Sequence, residues 1–272
     1  MLVKRKRKVT FRNGIAVVNV GGMPRPVRWL TSKGTDNPKT AKNASEEWLP
    51  VALSMAPADV AGVGTVCAYA KSCAAICLNE TGHGPMDDVQ RARIARTVIW
   101  KTERQYCLDR LATELAIWEQ RAERKGKRVC ARLNMLSDIP WERYGIIDAF
   151  PNIQFYDYSK YPKRFGNVRD NYWVTFSRDS ESDNTHCLDI LRKGCNVAIA
   201  FDDGVCSLGR VNQRKAGTYR FDMPERYKRF PVIDGDVTDA RWTDPRGVWV
   251  GLRFKSRSHT QRTYAIGTTF VV

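Results

Sequence analysis

The 272-residue chain has no apolar run near the roughly 18 residues that a membrane-crossing helix needs, so no ordinary helical span is expected. The first residues, MLVKRKRKVTFRN, are basic but have no apolar segment behind them, so no secretory leader is expected either. Histidine is scarce: His83, His186 and His259 are the three in the chain, and none stands beside an evident nucleophile. The sequence carries no nucleophile elbow, no phosphate-binding glycine loop and no dinucleotide fingerprint, which leaves the common hydrolase, NTPase and dehydrogenase readings without motif support. Internal repeats and long low-complexity tracts are missing too. Asp234, Asp236 and Asp239 in IDGDVTD faintly suggest a calcium loop, but the spacing of such loops is not met.

Negative charge is the other deficit. Asp and Glu number 29 against 45 Lys and Arg, a net charge of +16, and an excess of that size attracts polyanions. The cations also cluster. Lys4, Arg5, Lys6, Arg7, Lys8 and Arg12 open the chain, Arg214 and Lys215 lie in a second basic stretch, and Arg253 and Lys255 in a third. Tyr219, Phe221, Tyr227 and Phe230 are interleaved with the second, as where bases stack beside a phosphate track. A nucleic-acid partner is therefore expected, DNA ahead of RNA, with Lys4, Arg5, Lys6, Arg7, Arg214, Lys215, Arg253 and Lys255 as contacts. A charged surface that serves solubility alone is the plain alternative. No membrane partner is expected, and the oligomeric state is left open.

What is present suffices for a sizeable core, with 43% hydrophobic residues. Residues 1–47 read as a basic arm with a peripheral loop or hairpin, 48–256 as the core, and 257–272 as a basic tail. Strand candidates occupy 14–20, 49–55, 128–136, 152–160, 171–177, 196–203, 230–236 and 247–255. From Asp87, taken as a cap with Asp88, a helical pattern of Ile94, Val98, Leu108, Leu111, Leu115 and Trp118 runs to about Arg124, long enough for two helices. Helices are also expected over 140–150, with Pro140 in the first turn, and over 184–194, capped by Asn184 and ended by Gly194. About seven near-continuous apolar strands alternating with helices imply a parallel α/β sheet. An incomplete (βα) barrel is the preferred architecture, with a Cys-rich loop after its first core strand; an open doubly wound sheet is second.

In such folds the working residues gather at the C-terminal ends of the strands. Those ends supply Asp138, Tyr158, Lys160, Asp202 and Asp234 as catalytic candidates, with Asn134 and Ser137 beside them. The Cys loop, TVCAYAKSCAAICLNETGHG, holds Cys67, Cys73 and Cys77 spaced C-x5-C-x3-C, with His83 behind them. Three thiolates can hold a [4Fe–4S] cluster with one iron open, or zinc with a fourth ligand such as His83 or Cys107. The same residues also suit buried structural thiols or a redox pair. The spacing is not that of a zinc finger, so zinc is the weaker metal.

Read together, CAYAKSCAAICLNETGHG, RARIART, ARLNMLSDIPW, FPNIQFYDYSKYPKR, NYWVTFS and VIDGDVTDARWTDPRGVWVGLRFK resemble the bacteriophage gene-product-88-like family over about residues 50–256. That resemblance implies a phage origin, hence the cytoplasm of an infected cell, and carries no settled activity with it. The Cys loop also resembles, more loosely, that of radical S-adenosylmethionine enzymes, in which three cysteines follow the first strand of a partial barrel. The usual C-x3-C-x2-C spacing and the Gly-Gly-Glu strand end are both absent here, and Asn134 and Ser137 would take the place of the latter. The expected function is a phage enzyme acting on nucleic acid, modifying DNA or nucleotides with a [4Fe–4S] cluster on Cys67, Cys73 and Cys77 and S-adenosylmethionine as co-substrate. Its rivals are a cluster-free transglycosylase with Asp202 or Asp234 as nucleophile, and a non-catalytic basic binding protein with structural or zinc-bound cysteines. If nucleic acid is the partner, anisotropy titration of a DNA oligonucleotide should show affinity falling roughly a hundredfold or more from about 50 to 200 mM salt.

Overall fold

Short apolar runs bounded by turn residues form the strands, and two long amphipathic runs form the helices that cover them. The computed structural model describes residues 10–12, 15–20, 23–31, 40–80, 84–202, 222–254 and 258–272. Strands β1 (Thr10–Arg12), β2 (Ile15–Val20) and β3 (Met23–Pro26) make an antiparallel sheet of their own, and β2 is the strand expected over 14–20. The main sheet is built from β4 (Trp48–Ala52), β5 (Arg128–Arg132), β6 (Gln154–Ser159), β7 (Gly166–Arg169), β8 (Tyr172–Ser177), β9 (Val197–Phe201), β10 (Arg226–Tyr227), β11 (Phe230–Asp234) and β12 (Trp249–Arg253).

In space the order is β10-β11-β12-β9-β8-β6-β5-β4, and every pair from β11 to β4 is parallel. The sheet is mostly parallel, seven parallel strands as expected, and open: among the described residues β4 and β11 do not pair. β8 divides one edge between two partners. β7 runs antiparallel beside Tyr172–Val174, and β9 pairs with Phe176 and Ser177.

Helices α1 (Asp87–Thr102), α2 (Arg104–Glu123) and α3 (Asn184–Arg192) cover one face, and α4 (His259–Gly267) closes the chain. Side chains alternate along a strand, so Val129, Ala131 and Leu133 of the β5 region pack with Leu111 and Leu115 of α2 in one core cluster. A second cluster joins Phe176, Val197, Ile199 and Trp249 to Cys187, Ile190 and Leu191 of α3. Burying one such leucine contributes about 1.5–3 kcal/mol.

Several expectations shift. In α1 the sheet-facing residues are Ala95, Ile99 and Trp100, one position beyond the expected Ile94 and Val98. Asp87 and Asp88 lie inside the first turn and make no side-chain cap bond; their charge there still suits the helix dipole. The break between α1 and α2 is a non-helical backbone at Glu103, φ −134° and ψ 57°, with no Pro or Gly to announce it. Residues 140–150 form only a 3-10 turn, Trp141–Tyr144, stopped by left-handed Gly145. Gly194 ends α3 as expected, at a φ of 74°, whereas Asn184 is the first helical residue rather than its cap. The tail is not loose: α4 buries Ala265 with Ile76, Phe254 and Val271, and Val271 bridges to Ala200 beside β9.

The opposite face of the sheet is covered by the polar segment after β11. Asp239 pairs with Arg132 at 2.9 Å and accepts from the Tyr158 hydroxyl at 3.3 Å. Asn43 donates to the Tyr156 hydroxyl and accepts from the Asp239 N–H, and Trp242 packs on Trp48 and Tyr156. That segment leaves β11 through Gly235, whose N–H bonds the Gly251 carbonyl at 2.8 Å. A β-carbon there would stand 2.5 Å from Val250 Cγ1 and 3.0 Å from that carbonyl. Gly235→Ala should therefore cost about 1–3 kcal/mol, read as a lower urea midpoint at unchanged m-value.

Candidate functional site

The C-terminal ends of β4, β5, β6 and β8 bring together the Cys loop, Asp138, Lys160 and Asp179. The centre of this assembly is buried Asp157 on β6. Its carboxylate accepts from the Asn134 main chain at 2.7 Å, the Asn134 amide at 3.0 Å and the Tyr172 hydroxyl at 2.6 Å. The same Asn134 accepts from Ser137 Oγ, the Ile139 N–H and Trp141 Nε1 and donates to the Ile139 carbonyl. Both Asn134 and Ser137 are buried with these bonds made internally. They form a structural knot, and neither offers the open polar group that a cofactor contact was expected to supply.

Arg164 carries the network outward. It holds Glu142 through two bonds of 2.9 Å, stands 3.4 Å from Asp138, and donates to the Tyr172 hydroxyl. Asp138 then accepts from Ser159 Oγ at 2.7 Å and from the Lys160 N–H at 2.9 Å. Burial raises the Asp138 carboxyl, while those two donors and Arg164 oppose it. The Lys160 ammonium reaches the Ser177 and Arg178 carbonyls and pairs with Asp179 at 3.3 Å.

Asp179 ties this network to the cysteines. It accepts from the consecutive N–H groups of Ser72 and Cys73 at 3.0 and 3.2 Å, and the Lys160 ammonium with these two donors holds its carboxyl below the usual range despite burial. Cys67 donates to the Leu136 carbonyl at 3.2 Å and accepts from the Ala58 N–H at 3.5 Å. Burial, together with neighbouring Cys77 and Cys73, pushes its thiol up to about 12; burial likewise raises Cys73, which Lys160 opposes. Both are thus thiols at neutral pH, poorly suited to nucleophilic or redox work. All three loop cysteines are partly exposed, as is Cys195, whereas Cys107, Cys130 and Cys187 are buried. Among the described residues, no three His, Cys, Asp or Glu side chains close into a ready metal cage.

The other expected residues are elsewhere. Asp202 lies under two-pronged bonds from Arg262 of α4. Asp234 faces Arg253 at 2.9 Å, and Asp236 pairs with Arg253 at 3.5 Å and accepts its main-chain N–H. Arg253, expected as an anion contact, is buried with its charge matched by these carboxylates. Tyr158 lies against Arg132 and Asp239 on the opposite face. The aspartates that hinted at a calcium loop serve as ion-pair partners instead. Lys4, Arg5, Lys6, Arg7, His83, Cys206, Arg214, Lys215 and Lys255 lie outside the described residues. The sequence reading missed Arg164, Glu142 and Tyr172, whose partners lie 8 to 22 residues away along the chain.

Asp157 has a consequence for pH. Burial pushes its carboxyl up to about 6, against Arg164 and the Tyr172 and Asn134 donors. With an unfolded value near 3.9, its stabilising effect is complete below pH ~4 and is lost as pH rises through about 6, some ~3 kcal/mol at most. Urea midpoints should therefore fall across that window, and Asp157→Asn should flatten the wild-type profile there.

No helix among the described residues is long and apolar enough to cross a membrane. Residues 29–266 match the family model described as Gene product 88. No curated protein and no solved structure matches the chain.

Proposed function

Because the chain belongs to the Gene product 88 family of phage proteins, we propose that it is an enzyme acting on nucleic acid in the infected cell's cytoplasm, with its site at the strand ends under the Cys loop. We read the sheet as a partial (βα) barrel. The strands follow chain order from β4 to β9, and α1 to α3 pack on the same face. The charge of +16 supports a polyanionic substrate.

One observation carries the reading of the cysteines. Cys107, Cys130 and Cys187 are fully buried packing residues and Cys195 lies far from the loop in sequence, while Cys67, Cys73 and Cys77 are partly exposed and their loop is tied to the segments that follow β5 and β8. Burial, and to a smaller degree neighbouring Cys77 and Cys73, raises the Cys67 thiol; a metal that takes the thiolates would relieve the repulsion between them. Cys67, Cys73 and Cys77 would hold an iron–sulfur cluster, which supplies one-electron chemistry and an open iron when bound. Lys160 and Asp179 then fix the main chain at Cys73, and Asp138, whose carboxyl burial raises, can give or take a proton beside it.

A cluster-free transglycosylase is less well supported. Its expected nucleophiles, Asp202 and Asp234, are both held by arginines, which leaves Asp138, itself 3.4 Å from Arg164. Anaerobically purified protein should contain about four irons and matching sulfide per chain, with the broad visible absorption of a cluster. Cys73→Ala should lose it and Cys187→Ala should keep it. One zinc, or no metal, in the wild type would end the cluster reading and leave the Asp138 route or simple nucleic-acid binding.

A further inference from the structure

The rim of the same site carries a pair of stacked rings, one exposed and one half-buried. Tyr69 of the Cys loop and Tyr161 after β6 lie with ring centroids 4.6 Å apart and planes 11° from parallel. Tyr69 is 39% exposed, and the Arg143 guanidinium stands 5.8 Å from the Tyr161 ring. The rings come from different loops, each locally fixed. The turn at Tyr69 is closed by the Ala70 N–H to the Cys67 carbonyl at 3.1 Å, and Tyr161 donates its N–H to Ser159 Oγ at the same distance.

The surroundings suit an anionic strand with planar bases. Arg143, Lys71 and Lys163 are exposed, the last two each two residues from a stacked tyrosine; Lys71 meets Asp183 at 3.5 Å with its side chain 64% exposed. Exposed Val60, Val63, Leu78 and Met86 lie in the same stretch of chain as Tyr69. Together with Tyr69 they are half of the exposed large apolar side chains among the described residues.

We propose that Tyr69, backed by Tyr161 and Arg143, is a stacking platform for an unpaired nucleobase, which it holds at the rim beside Asp138 and the Cys loop. A tyrosine face stacks on any base, and a cation beneath the pair strengthens it. The occupant is one nucleotide of a single strand or an opened duplex, because a paired base has both faces covered. This inference rests on the nucleic-acid reading above and not on the cluster.

The test uses the full chain, with fluorescein-labelled single-stranded DNA, the same sequence as RNA, and the DNA duplex. Tyr69→Ala should weaken single-strand binding roughly 5- to 100-fold at an unchanged salt slope, since no phosphate contact is lost. Tyr69→Phe should bind as wild type, and the duplex affinity should barely move. DNA and RNA arms that respond alike point to the base face alone, and a larger loss for one names the sugar read beside it. Photocrosslinking of wild type to an iodouracil-substituted strand should place the adduct on Tyr69, which holds even if Tyr69→Ala folds poorly. Adducts mapped elsewhere, or a folded Tyr69→Ala with wild-type affinity, overturn the platform while leaving the nucleic-acid reading intact. Wild-type protein that binds none of the three probes overturns both.

Discussion

A carboxylate removed from water must be given donors, and the C-terminal edge of this sheet is arranged around that requirement at Asp157. Its three donors come from the end of β5 and from β8, so the two strands flanking β6 are both fastened to it. Asn134 is thereby fixed, and with it the turn that ends at Asp138. Arg164 compensates the buried charge on the far side and reaches Glu142 and Asp138 as well. Loss of a single partner would leave a buried polar group unpaired, a cost of about 1–3 kcal/mol.

From this centre the order of dependence runs outward. Asp138 takes its position from Ser159 and the Lys160 main chain, Lys160 extends to Asp179, and Asp179 holds two N–H groups of the Cys loop. A loop without a strand or α-helix of its own thus gains a defined place through charge-assisted bonds. The C-terminal segment completes the surroundings. Arg178 donates to the Thr269 and Phe270 carbonyls, and the Phe270 ring lies 5.3 Å from the Lys160 ammonium. The chain end is consequently part of the strand-end assembly.

The two faces of the sheet solve different problems. Helices α1 to α3 bury an apolar face, for which hydrophobic area suffices. The other face carries Arg132, Tyr156 and Tyr158, whose polar groups need partners at defined places, and the segment from Asp236 to Asp244 supplies them together with Asn43. A charged residue at a strand end is therefore paired inside the fold, as Arg253 is with Asp234 and Asp236 and Asp138 is with Arg164.

The strands and the two long helices were legible in the sequence because their signals are local: apolar runs of strand length, helical spacing at Leu111, Leu115 and Trp118, and Gly194 at a positive φ. The grouping of Cys67, Cys73 and Cys77 in a loop after the first core strand was legible for the same reason. The partners of each acid were not. Asp202 and Arg262 are 60 residues apart and Arg132 and Asp239 are 107 apart, and nothing local links them. Strand alternation places a side chain on a face, but only the packed fold decides what stands opposite. The sequence by itself determined the elements, the charge excess and the cysteine loop. The tertiary structure decided which charged groups cancel one another and which remain at the rim, because that choice depends on distances between segments far apart along the chain.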